Sequence, residues 1–92
     1  MIIVTRHPAL VDYLIAEGIA SPDTPVISHA SPDDIRGKHV IGVLPLHLAA
    51  EAASVTEVPL SLPAELRGVE LDEEQVREFA GAPRTYRVNI IG

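Results

Sequence analysis

Two short segments of the chain carry the side chains best suited to chemistry. Thr5-Arg6-His7-Pro8 and Leu44-Pro45-Leu46-His47 each follow an apolar run and place a proline where a helix is expected to begin. An arginine guanidinium offers a planar fork of donors that suits a phosphate group. Imidazole exchanges protons near neutral pH, so His7 and His47 are candidate general acid and base catalysts. These segments predict a site that binds an anion and acts on it.

The prolines determine how the two helices begin. With proline as the first helical residue, His7 and Leu44 become the N-caps, and neither residue type is a favoured cap. The free N–H groups can then receive an anion, which the helix dipole also attracts. Water is the alternative partner. We expect an anion beside Arg6, with Pro45 among the ligand-binding residues.

Three further residues are candidates for ligand binding. Thr5 ends the first predicted strand, where it can contact ligand through its hydroxyl group or serve only as a β-branched strand residue. His29 follows the second predicted strand and can reach the same site. Arg67 follows the fourth predicted strand and can close over a ligand. The alternative for Arg67 is a surface ion pair with Glu65 or Glu70, worth about 0–1 kcal/mol.

The histidines also raise the question of a metal. His7, His29 and His47 could together hold an ion, but the chain has no HxH or HExxH spacing and no cysteine. We therefore expect no metal and no cofactor. His39 begins a strand and is expected to be structural.

Hydrophobic periodicity predicts an α/β domain that spans residues 1–92. The predicted strands are 2–5, 25–28, 39–44, 56–62 and 86–90. The predicted helical segments run from Pro8 to Gly18, over a single turn within 31–37, from Pro45 through 47–54, and from an Asp72 cap to Gly81, with a loop or single turn at 63–68.

Alternating strands and helices predict a Rossmann-like fold, with about five mainly parallel strands and helices on both faces. Ligands of such sheets bind outside the carboxyl ends of the strands, near the point where the strand order reverses. If the first and third strands are neighbours, Thr5-Arg6-His7-Pro8 and Leu44-Pro45-Leu46-His47 face one crevice.

Composition limits the partners and the compartment. The 92 residues carry 13 acidic and 7 basic side chains, a formal net charge of −6, which argues against binding duplex nucleic acid. The absence of cysteine favours the cytoplasm. The apolar run Met1-Ile2-Ile3-Val4 is too short for a signal peptide or a membrane span. A chain this small has a modest core, so dimerisation is expected.

The order and spacing of four segments resemble a family of small type III CRISPR-associated proteins of the ring nuclease class. These segments are Val4-Thr5-Arg6-His7-Pro8, Ile27-Ser28-His29, residues 40–50 and residues 62–68. The similarity runs over nearly the whole chain. It implies a protein that binds and cleaves cyclic oligoadenylate, the second messenger of these systems, usually as the cyclic tetramer. It also implies a Rossmann-like two-fold dimer with the ligand on its axis.

The residues fit such a reaction. A ribose 2′-hydroxyl can attack its own 3′-phosphodiester without a metal if the protein aligns the groups and stabilises the added charge. On this hypothesis Arg6 and the helix N–H groups hold the phosphate, His7 or His47 moves a proton, and Arg67 covers the ligand. Three alternatives remain: a module that only senses or sequesters cyclic oligoadenylate, another phosphoryl-transfer enzyme, and an interaction subunit without a ligand.

Overall fold

A five-stranded sheet organises the structure, a computed structural model that describes all 92 residues. The strands are β1 (Ile2–Val4), β2 (Val26–Ile27), β3 (His39–Gly42), β4 (Ser54–Glu57) and β5 (Arg84–Tyr86). Their order is β2-β1-β3-β4-β5, and only β5 runs antiparallel to its neighbour. The predicted α/β fold with a mainly parallel sheet is confirmed. This is the flavodoxin-like strand order, here with an antiparallel last strand.

Helices cover both faces of the sheet, as predicted. They are α1 (Pro8–Ala16), α2 (Pro32–Ile35), α3 (Leu46–Ala49) and α4 (Glu73–Phe79), with a 3₁₀ turn at Ala64–Leu66. On one face, Ile3 and Ile41 of the sheet share a buried cluster with Leu14 of α1 and Val76 of α4. On the other face, a second buried cluster joins the sheet to α2 and α3 through Val40, Ile35 and Ala49. The sheet is therefore enclosed between two apolar layers.

The first three strands are one or two residues shorter than predicted, and three later elements differ more. The third helix stops at Ala49 instead of running to residue 54, because the N–H of Ala53 donates to the carbonyl oxygen of Lys38 (2.9 Å) and starts the next strand. That strand covers 54–57 instead of 56–62, and Pro59 beyond it has no N–H to donate to a ladder. The last strand is 84–86 instead of 86–90, since its ladder covers only the residues opposite Val55–Glu57.

The predicted helix ends agree better with the structure. Gly18 follows the last turn of α1 with φ of 72°, the left-handed conformation that glycine adopts without strain. Asp72 caps α4 by accepting the N–H of Gln75 (2.8 Å), and the Gln75 side chain accepts the N–H of Asp72 (3.1 Å). This reciprocal pair is the predicted capping box.

His39 is a structural residue, as predicted. One ring nitrogen is hydrogen-bonded to the Ser54 hydroxyl, and the other lies 3.0 Å from Oγ1 of Thr56. Thr56 in turn lies 2.8 Å from the hydroxyl of Thr85 on β5. Both nitrogens of the imidazole therefore link β3 to β4 through hydrogen bonds, and Thr56 extends the connection to β5.

The longest helix, α1, has 9 residues. No helix has the length and apolar character needed to cross a membrane.

Candidate functional site

A crevice opens where the carboxyl ends of β1 and β3 lie side by side. The two strands are direct neighbours, with Val4 opposite Gly42, while β2 lies on the far side of β1. The strand order thus reverses at β1, the position where doubly wound sheets bind ligands. The crevice measures about 500 Å³. Its lining includes Thr5, Arg6, His7, His29, Pro45 and Leu60.

The structure therefore brings together five of the seven predicted site residues. Thr5, Arg6 and His7 come from the turn after β1, His29 from the segment after β2, and Pro45 from the segment after β3. The expectation that the turns after the first and third strands share one crevice is confirmed, because those strands are adjacent.

His47 and Arg67 do not line this crevice. His47 is the second residue of α3, and its side chain is exposed. Arg67 follows the 3₁₀ turn and lines a neighbouring groove. Leu60 belongs to both the crevice and that groove, so the two depressions are contiguous.

Arg6 and His29 form a hydrogen bond within the crevice. The guanidinium Nη2 lies 3.2 Å from Nδ1 of His29. A guanidinium can only donate, so in this bond Nδ1 accepts and the ring carries its proton on Nε2. The bond fixes both the direction of the arginine fork and the tautomer of the histidine. It leaves an N–H donor on the other side of the His29 ring.

The segment that carries His29 is anchored directly beyond it. The N–H of Ser31 donates to the Asp34 carboxylate at 2.8 Å, at the start of α2. This bond, with a second from the Ser31 hydroxyl, lowers the pKa of Asp34. His29 thus lies in a short connection between β2 and a capped turn, from which its ring reaches Arg6.

The crevice is free of acidic side chains, although the protein is acidic. None of its 14 lining residues is Asp or Glu, while the chain carries 13 such residues. Arg36 and Arg77 form ion pairs with carboxylates, whereas the side chain of Arg6 bonds only to His29. An adjoining depression on the β2 side of the same turn does include Asp12. The crevice itself retains a positive charge available to an anion.

The start of α1 has the N-cap residue and the first-turn proline that the sequence predicts. His7 is the N-cap, its side chain caps no N–H, and Pro8 occupies the first turn. The N–H of His7 donates to Oγ1 of Thr5 (3.2 Å), so the threonine hydroxyl shapes the turn. The N–H of Leu10 bonds to the carbonyl oxygen of His7. This leaves Ala9 as the first-turn residue whose N–H has no backbone partner.

The start of α3 does not agree with the prediction. Pro45 itself is the N-cap, with ψ of 151°, so Leu44 is not the cap. The proline ring fixes φ but leaves ψ free, and the Pro45 carbonyl oxygen accepts from both Leu48 and Ala49. A helix of 4 residues has few aligned peptide dipoles. The predicted Leu44 cap is therefore wrong, and Pro45 is part of the crevice wall.

Gly42 is a feature of the site that the sequence analysis missed. Its φ is +143°, and a Cβ at this position would overlap the carbonyl oxygen of Val4 on β1. Only glycine lets the two backbones approach this closely at the strand ends where the crevice begins. The available signal was a glycine inside the longest apolar run of the chain, which indicates close backbone approach.

We predict that Gly42→Ala lowers the free energy of unfolding by about 2–4 kcal/mol, because it adds an overlap to an unfavourable φ. Urea unfolding measures the effect. Gly37→Ala is the matched control, since Gly37 also has positive φ (70°) but has no atom within 4 Å of the added Cβ. Its expected loss is about 1–2 kcal/mol. Equal losses in the two variants would show that the contact with Val4 has no energetic consequence.

No three His, Asp or Glu side chains lie close enough together to hold a metal ion. The arrangement in the crevice is instead a guanidinium, two imidazoles and a helix start. Such a set can bind a phosphate group and transfer protons beside it.

A scan against protein families gives one finding that bears on this site. Residues 2–89 match the family described as "Putative CRISPR-associated protein (Cas_VVA1548)". The chain belongs to the Cas_VVA1548 family. The match covers every strand and helix of the sheet domain and all residues of the crevice. No curated protein and no solved structure matches the chain significantly.

Membership in the Cas_VVA1548 family confirms the CRISPR association expected from the resemblance. The finding concerns the family as a whole and assigns no reaction or ligand.

Proposed function

We propose that this Cas_VVA1548 protein is a ring nuclease that binds cyclic oligoadenylate and cleaves it without a metal, with cyclic tetra-adenylate as its substrate. The observation that carries the proposal is the acid-free crevice at the β1–β3 switch point, in which Arg6 and His29 are already hydrogen-bonded. CRISPR association supports the choice of ligand. Cleavage would end the signal that the cyclic nucleotide carries.

The proposed reaction is an internal transfer. The ribose 2′-oxygen attacks the adjacent phosphorus, forming a bond that makes a 2′,3′-cyclic phosphate, while the bond from phosphorus to the 5′-oxygen breaks. The 2′-hydroxyl proton goes to a base, and another proton goes to the departing 5′-oxygen. No water or redox partner is consumed. Arg6 balances the negative charge that grows on the phosphoryl oxygens.

The hydrogen bonds distinguish the two imidazoles of the crevice. His29 presents Nε2–H as a donor, because its Nδ1 accepts from Arg6. A neutral imidazole is a poor acid, so His29 acts as one only after the bound phosphate takes over the Arg6 donors and Nδ1 takes up a proton. The resulting imidazolium then protonates the 5′-oxygen from Nε2 and returns to the neutral form. The His7 ring forms no hydrogen bond within the chain, so either nitrogen is free to accept the 2′-hydroxyl proton. His47, predicted as a second catalytic histidine, is exposed on α3 and would need another copy of the chain to reach a crevice.

A homodimer is part of the proposal, because two crevices related by a two-fold axis suit a symmetric ring. Exposed apolar side chains near the crevice support it. Val43, directly after β3, is 69% exposed, and Leu46, the first residue of α3, is 75% exposed. Sedimentation velocity tests this part, with about twice the 9.9 kDa chain mass expected.

The decisive experiment is incubation of the purified protein with cyclic tetra-adenylate in excess EDTA. We expect linear products that end in a 2′,3′-cyclic phosphate, identified by mass spectrometry. A ring that stays intact while calorimetry shows binding would favour a sensor or sponge. Cleavage that stops in EDTA and returns with a divalent ion would overturn the metal-free mechanism. Absence of binding would overturn the choice of ligand.

A further inference from the structure

A second depression adjoins the crevice on the side of the segment after β4. It is a groove of about 760 Å³ whose walls combine apolar and polar side chains. Leu60 lines both the groove and the crevice, so the two depressions adjoin at this residue. The groove is lined by Leu60, Ser61, Leu62, Pro63, Arg67 and Phe79.

The backbone holds the two walls of the groove in a fixed relation. Leu60 forms an antiparallel bridge with Ala80. The N–H of Ser61 donates to the carbonyl oxygen of Phe79 (3.1 Å), and the N–H of Gly81 donates to that of Pro59 (2.7 Å). The 3₁₀ turn then leads directly to Arg67. The groove is therefore formed before any ligand binds, which reduces the ordering cost of binding.

Phe79 is available to a ligand in this groove. It is the only phenylalanine of the chain. It belongs to neither buried cluster and is not among the half-buried residues that pack against them, although it is itself half-buried. An aromatic ring that lines a groove and does not pack in the core offers a face on which a planar base can stack.

Arg67 supplies the charge that such a ligand requires. It is exposed and forms no ion pair, although Glu65 and Glu70 are close in sequence. No acidic residue lines the groove. Crevice and groove together thus present one unpaired guanidinium each, Arg6 and Arg67, along a continuous acid-free surface. This charge arrangement suits a ligand with two linked phosphates better than a single anion.

We propose that the groove is a second nucleotide subsite, in which the base next to the scissile phosphate stacks on Phe79 and its own phosphate contacts Arg67. The inference rests on the proposed function, because the crevice must hold the first phosphate. It makes the protein selective for ligands with at least two linked nucleotides. It also gives Arg67 a defined contact, where the sequence alone indicated only a residue able to cover a ligand.

The chain has no tryptophan, so Phe79→Trp introduces a single fluorescent reporter in the groove. Cyclic tetra-adenylate is expected to quench its emission by stacking. In calorimetry, Phe79→Leu is expected to weaken binding about 5- to 150-fold, the loss of one stacked base. Arg67→Gln, an exposed position that leaves folding intact, should weaken binding and reduce its salt dependence by about one phosphate contact. Arg84→Gln on β5 is the control for equal charge change.

The outcomes separate this inference from the proposed function. Quenching together with weaker binding by Phe79→Leu and Arg67→Gln supports the subsite. Binding that depends on Arg6, with no quenching and no effect of Arg67→Gln, overturns the subsite and leaves the proposed function standing. Absence of any binding of cyclic tetra-adenylate to the unmodified protein overturns both. Thermal unfolding of Phe79→Leu shows whether this variant folds. If it does not fold, the binding affinity of Arg67→Gln decides whether the subsite exists.

Discussion

Replacing Arg6 with glutamine is expected to slow cleavage of cyclic tetra-adenylate about 10²- to 10³-fold, the usual result of removing one charge-stabilising donor from a reacting centre. Arg6 supplies the fixed positive charge of the crevice and is oriented by Nδ1 of His29 at 3.2 Å. Glutamine keeps hydrogen-bonding ability but loses the charge. Single-turnover rates with saturating protein measure the chemical step without the contribution of binding.

Binding should weaken as well, by about 10- to 100-fold, because a charge-assisted hydrogen bond contributes roughly 1.5–3 kcal/mol. The loss should shrink as salt rises, since the unmodified protein releases counterions that the variant does not. The affinity of Arg6→Lys should fall between those of the unmodified protein and Arg6→Gln, because lysine restores the charge without the planar fork.

Arg84→Gln removes the same charge from an exposed position on β5 that lines none of the depressions. It should leave binding and cleavage nearly unchanged. If Arg84→Gln and Arg6→Gln weaken binding equally, the ligand responds to the overall charge of the protein and the crevice is not its site.

The location of the site could be predicted from the sequence because it depends on chain order. A polar turn between an apolar strand and a proline-initiated helix indicates the carboxyl edge of a parallel sheet, whatever the details of packing. That pattern alone is enough to place Arg6 and His7 at this edge. The pairing of Arg6 with His29 could not be predicted, because two segments 23 residues apart in sequence meet only through the order β2-β1-β3.

The errors in the prediction arose where tertiary pairing overrides local preference. The alanine-rich stretch after His47 favours a helix, but the backbone of Ala53 pairs with Lys38 instead and ends α3 early. That early end leaves α3 as a single turn, which has few aligned peptide dipoles to attract an anion. The groove beside Leu60 depends on an antiparallel bridge to Ala80, a contact for which local sequence carries no signal.

Replacing His29 tests whether this residue transfers a proton or only positions Arg6. We expect His29→Ala to slow cleavage about 10²- to 10⁴-fold, the range for losing a general acid. His29→Asn separates the two roles, because an asparagine carbonyl oxygen can accept from Arg6 but cannot deliver a proton to the 5′-oxygen. Asparagine should therefore restore binding and leave cleavage slow.

A modified substrate makes the test specific to the leaving group. With sulfur in place of the bridging 5′-oxygen, the leaving group departs as a thiolate and needs no proton, so His29→Asn should cleave it nearly as fast as the unmodified protein does. His7→Ala should stay slow on the same substrate, because the 2′-hydroxyl still needs a base. If His29→Asn cleaved the normal substrate, with its bridging 5′-oxygen, at the full rate, His29 would only position Arg6 and would not transfer a proton.

His47→Ala tests whether the imidazole that accepts the 2′-hydroxyl proton is His7 of the same chain or His47 of a second chain. Because His47 lies outside the crevice of its own chain, its loss should change the rate less than the loss of His7 or His29. A larger effect from His47→Ala, seen only in the dimeric protein, would mean that a second chain completes each site. The proton-transfer role would then pass from His7 to an imidazole delivered across the dimer.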